Sequence, residues 1–144
     1  MNELENIVPK LIGQHRLLQK DLGEVAIILK NEKPTGVEIE KWLQEFTKDL
    51  QEHLHLENEV FYVELLKKMK EAGIDTTNTE AFIADMKNIG DTVEAFMKKY
   101  EGASVIEKEL TEFTNEFSPL VNTLNIRIES EESGVYLYWN LYNK

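Results

Sequence analysis

Two of the three histidines in this chain fall where a helical core should be apolar. His15 stands in the series Ile7, Leu11, His15, Leu18, Leu22, Val25, Leu29. His53 stands in the series Phe46, Leu50, His53, Glu57, Phe61, Leu65. Spacings of three and four put each series on one helix face. A carboxylate in such a stripe is costly unless its charge is compensated, and a metal ion is one partner able to do that. His53 and Glu57, four residues apart on one face, can reach the same ion. His55 and Glu59 repeat the spacing, but position 55 lies about 200° around the helix from position 53. They are expected on a flank or in solvent.

Four helical segments carry these residues. The first is expected from Glu3 to Lys30, with Asn2 and Glu5 as a capping pair and Pro9 marking a later start or a kink. The second runs from a Thr35 cap, with Glu38 in its first turn, to about Glu71. The third starts at Thr77 with Glu80, carries Phe82, Met86, Ile89, Val93, Phe96 and Tyr100, and ends at Gly102. The fourth starts at Ser104 with Glu107 and runs through Phe113, Phe117, Leu120, Leu124, Ile128, Glu131 and Val135, with a kink expected at Pro119. Strand-like alternation is absent. The expected fold is all-α, an up-down-up-down four-helix bundle, with residues 1–144 forming one domain.

A weak internal repeat extends the donor set. The stretch His53-Leu-His-Leu-Glu57-Asn-Glu-Val-Phe-Tyr62 aligns with Arg127-Ile-Glu-Ser-Glu131-Glu-Ser-Gly-Val-Tyr136. Leu54 matches Ile128, Glu57 matches Glu131, Tyr62 matches Tyr136, and Arg127 stands where His53 does. The candidate metal ligands are therefore His15, His53, Glu57 and Glu131, contributed by three helices. Nitrogen and oxygen donors of this kind suit iron, manganese or zinc. Tyr62, Tyr136, Tyr138 and Trp139 are expected to close the bundle end. Asp85 is expected in solvent, and the pairing of Glu131 with Arg127 is the alternative to a ligand role.

Composition narrows the function. The net charge is −11 at pH 7, with no cysteine. Phosphate binding needs a basic patch, so neither nucleic acid nor an anionic membrane surface is an expected partner. Thiolate sites, iron–sulfur clusters and cysteine nucleophiles are excluded. No apolar run is long enough to span a membrane and the N-terminus lacks a signal-peptide core, so a cytoplasmic protein is expected. Isolated glycines make no phosphate-cradling loop, and no serine sits at a strand-to-helix elbow. A conventional enzyme is not expected.

Gln14-His15, the His53 to Tyr62 stretch and Arg127-Ile-Glu-Ser-Glu131-Glu resemble the hemerythrin-like (HHE cation-binding) family. The likeness extends over helix order and length across nearly the whole chain. It implies a four-helix bundle holding non-haem iron, mononuclear or dinuclear, with His15, His53, Glu57 and Glu131 at matched ligand positions. It also implies a diatomic ligand such as oxygen or nitric oxide as a partner. Oxygen-carrying members place further histidines on the third and fourth helices. This chain has none after His55, so its site must lean on carboxylates. The competing expectation is a metal-free bundle serving interaction or homodimerisation, its buried histidines, glutamates and Arg127 joined by hydrogen bonds.

Overall fold

The computed structural model describes residues 4–143. The helices are α1 (Ile7–Leu29), α2 (Gly36–Leu56), α3 (Tyr62–Glu71), α4 (Thr77–Lys99), α5 (Ala103–Lys108), α6 (Leu110–Ser133) and α7 (Val135–Tyr142). A π turn, Glu57–Phe61, joins α2 to α3 without a loop, so these form one arm. No strand occurs among the described residues.

Cross-helix pairs fix the directions. Gln14 meets His53 and Asp21 meets Asp49, so α2 runs antiparallel to α1. Gln19 meets Asn125 and His15 meets Glu132, so α6 runs antiparallel to α1. Arg127 reaches Phe82 and Lys99 reaches Glu112, so α4 runs antiparallel to α6. The four arms therefore alternate up and down, as expected from short connections between amphipathic helices.

Several boundaries differ from the sequence reading. Residues 4–6 form a turn and α1 begins at Ile7, not Glu3. Pro9 then sits in the first turn, where its missing N–H leaves no bond unmade. The capping role expected of Asn2 lies outside the described residues. Helix α4 is preceded by Thr76, whose hydroxyl donates to Glu80, while Asp75 accepts the Thr77 N–H. Asp75 thus takes the Thr77 N–H that a Thr77–Glu80 capping pair would have given to the Glu80 carboxylate. Ser104 lies inside α5, which follows Gly102 at φ 105°, a left-handed conformation suited to glycine.

The fourth arm breaks at Glu109 and Gly134, whereas α6 continues through Pro119. Phe113, Phe117, Leu120 and Leu124 stay buried on both sides of the proline. Their burial outweighs the single backbone bond that proline removes. Gly36 packs against the Ala103 carbonyl, where an added Cβ would lie 2.1 Å from the oxygen, so no larger residue fits at this start of α2.

The core is split in two. One apolar cluster includes Leu18, Leu22, Phe46, Leu50, Phe96, Phe113 and Leu124. The other includes Ile7, Leu11, Phe61, Tyr62, Leu65, Tyr136 and Trp139. Between them, in sequence and in space, lies a layer of buried polar side chains.

A second buried acid pair sits on the α1–α2 seam. Asp21 is 1% exposed, no other side chain or backbone group donates to its carboxylate oxygens, and Asp49 lies beside it as the acceptor for a shared proton. Burial first, then Asp49 and Glu45, push the Asp21 carboxyl up to about 7, with Lys20 opposing. The folded state therefore holds a proton that the unfolded chain releases near pH 4. Stability from this group is fully present below about pH 4 and is lost as pH rises through about 7. Asp21→Asn is expected to remove that loss, stabilising the protein by about 2 kcal/mol at pH 8 and by less than half as much at pH 5. Urea unfolding at both pH values measures it. An equal effect at the two would contradict the assignment.

Candidate metal centre

Each helix carries its donor inward for a local reason. His15 replaces an aliphatic residue one turn after Leu11 and one before Leu18, and is 1% exposed. His53 and Glu57 continue the Phe46–Leu50 stripe at 3% and 0%. Glu131 continues Leu124 and Ile128 at 2%. One donor atom from each of these four residues lies within 4.8 Å of every other. Donors about 2.1 Å from a shared ion stand at most about 4.2 Å apart, so less than about 1 Å of side-chain movement would close the set.

The outer ring nitrogens of both histidines are tied down. His53 Nδ1–H donates to Gln14 Oε1 at 2.8 Å, which leaves Nε2 facing Glu57 at 3.4 Å. His15 Nδ1–H donates to Glu132 Oε2 at 2.8 Å, and Nε2 faces Glu131 Oε1 at 2.9 Å. Glu132 is in turn bonded to Arg16. An acceptor on one ring nitrogen fixes the orientation of the other, the arrangement that metal-binding imidazoles require.

Charge is unevenly met within the layer. Burial works against protonating His15, but Glu131 and Glu132 on its two nitrogens hold its pKa above the ordinary value. Burial likewise opposes ionisation of Glu131, yet His15 and Arg127 keep its carboxyl below the usual range. Arg127 Nε donates to Glu131 Oε2 at 3.1 Å. Glu57 lacks such a cation. Burial raises its pKa against the pull of His53, and its Oε1 has no hydrogen-bond partner. An orphaned, fully buried carboxylate oxygen beside two aligned imidazole nitrogens fits a cation.

Two tyrosines join the layer crosswise. Tyr136 donates to Glu57 Oε2 at 2.6 Å, and Tyr62 donates to Glu131 Oε2 at 3.1 Å. Each thus binds the glutamate of the other repeat. Burial pushes both hydroxyls far above their ordinary pKa, so they remain donors. Five residues along a regular α-helix turn about 140° off the starting face, so the spacing Glu57–Tyr62 should part the two. The π turn corrects the phase in the first copy. The break at Gly134 does so in the second, where a Cβ would lie 2.7 Å from the Ser130 carbonyl oxygen.

The four residues predicted from the stripes and the repeat are brought together. His55, Glu59, Asp85, Asp91 and Glu129 are exposed, and Met86 is buried beside the cluster. Tyr136 and Trp139 close the bundle end as expected, whereas Tyr138 is 38% exposed. The sequence alone assigns no role to Gln14 or to the tyrosine hydroxyls. The repeated Glu-to-Tyr spacing of five was the available signal for the tyrosines. A small cavity of about 20 Å³, large enough for a water-sized molecule, opens beside the donors among Leu18, Leu22, Phe46, Leu50 and Leu124.

The model of the hemerythrin HHE cation binding domain matches residues 6–138. The chain belongs to that family. This HHE domain therefore comes from a cation-binding family, and its buried His/Glu cluster could serve as the metal site. Neither the curated proteins nor the solved structures give a match. No helix of the HHE domain among the described residues is long and apolar enough to cross a membrane.

Proposed function

We propose that His15, His53, Glu57 and Glu131 hold a non-haem metal ion, iron foremost, with manganese or zinc as alternative occupants. The observation that carries this is Glu57, a buried carboxylate whose Oε1 meets no hydrogen-bond donor and which places one oxygen within 4.8 Å of a donor atom on each of the three other residues. When bound, iron would supply an exchangeable position for a diatomic ligand such as oxygen or nitric oxide. The chain's own residues do the rest. Gln14 and Glu132 orient the imidazoles, Tyr62 and Tyr136 hold the carboxylates, and the two apolar clusters exclude bulk water. The cavity beside the donors has an apolar wall and the volume for one small molecule.

A second reading, a metal-free interaction module, is favoured by Arg127, which already neutralises Glu131. Thermal melting separates the two. Binding to the native state alone stabilises by about 2.7 kcal/mol at a hundredfold excess over Kd. For a domain of this size that raises Tm by roughly 5–11 °C. Iron(II) added anaerobically is expected to give this rise, chelator to reverse it, and the His53→Ala/Glu57→Ala variant to show neither. A melt indifferent to metal and chelator would favour the second reading.

A further inference from the structure

We infer that the centre takes one divalent ion, and that the guanidinium of Arg127 permanently fills the place of a second cation. This rests on the metal-centre reading above.

Three observations support it. Arg127 occupies the repeat position that His53 occupies in the other copy, yet it cannot serve as a ligand, because its guanidinium has no acceptor and stays charged. It is also fixed in place. Nε donates to Glu131, Nη1 donates to the Phe82 carbonyl at 2.8 Å, and the guanidinium carbon stands 3.6 Å from the Phe82 ring centroid.

The donor inventory is the second observation. Arg127 and Tyr62 both use Glu131 Oε2, and Tyr136 uses Glu57 Oε2. That leaves Glu57 Oε1, the His53 Nε2 that faces Glu57, and the His15 Nε2 and Glu131 Oε1 that meet each other beside the Tyr136 hydroxyl, donors for a single ion. Helix α4 adds no carboxylate or imidazole, since it has no histidine and its acids Glu80, Asp85, Asp91 and Glu94 are all exposed.

Charge is the third. With one divalent ion, the two buried carboxylates face three positive charges, Arg127 included. A second ion would raise this to five in a layer closed by apolar clusters on both sides, where uncompensated charge is costly.

The test is stoichiometry. The purified protein is loaded anaerobically with excess iron(II) alone, and separately with zinc(II) alone, then desalted and analysed for metal. One ion per chain is expected in each case. Two per chain would overturn this inference and leave the metal-centre reading standing; none would overturn both. Arg127→His exchanges the guanidinium for an imidazole donor and is expected to double the uptake. A variant that melts cooperatively and still holds one ion would overturn the role given to Arg127. The count on the unaltered chain decides the matter by itself if the variant does not fold.

Discussion

Replacing Arg127 by alanine is expected to destabilise the metal-free protein by about 3 kcal/mol. Removing one partner of a buried ion pair leaves the other charge uncompensated, which costs about 3–5 kcal/mol. The lower end applies because His15 still donates to Glu131 Oε1. The side chain also holds the Phe82 carbonyl and covers its ring, so both α4 and α6 lose a contact. Denaturant unfolding in the presence of chelator measures this effect. A loss under about 1 kcal/mol would show that Arg127 is not the counter-charge of the layer. Added metal should recover part of the loss, since it would give Glu131 another cation.

Glu57→Gln should act in the opposite sense on the two properties. The glutamine carbonyl can still accept from Tyr136, so the 2.6 Å hydrogen bond has a successor. The buried carboxylate with an orphaned oxygen is gone. The metal-free protein is therefore expected to gain about 1–2 kcal/mol, the scale of an unsatisfied buried group. Metal affinity should fall at least a hundredfold, because an anionic donor has become neutral. Urea unfolding with chelator gives the first quantity and metal titration the second. A variant that loses stability in chelator would mean that Glu57 is a structural acceptor rather than a group waiting for a cation.

The opposed effects explain why such a residue is legible in sequence. A glutamate between Leu50 and Phe61 breaks the apolar pattern of its own stripe, and His15 breaks another. The breaks are one or two stripe positions wide, so the helical period places them without knowledge of the tertiary fold. Glu131 was reachable through the repeat with Glu57. Tyr62 and Tyr136 were not reachable by period, because a spacing of five points away from the layer unless the helix is locally unwound. The π turn at Glu57–Phe61 has no local sequence signal, while Gly134 looks like an ordinary breaker. Gln14 and Glu132 adjoin the inward residues, and only the helix crossings show that they reach His53 and His15. The Asp21–Asp49 pair escaped because each residue, taken singly, reads as one more surface acid in a chain of net charge −11.

Fold class followed from the same periodicity, while the breaks in the fourth arm did not. At Pro119, where a kink is expected, the apolar stripe keeps its phase and α6 runs on as one helix. The actual breaks, at Glu109 and Gly134, fall where the arm turns to pack α5 against α2 and to bring Tyr136 under the site.

The most direct test is an anomalous-scattering map from crystals of protein loaded with iron or zinc, recorded on both sides of the metal's absorption edge. The account predicts one peak per chain, enclosed by His15 Nε2, His53 Nε2 and the carboxylates of Glu57 and Glu131. A loaded crystal with no peak among those four residues, or with metal held only by surface acids, would contradict it.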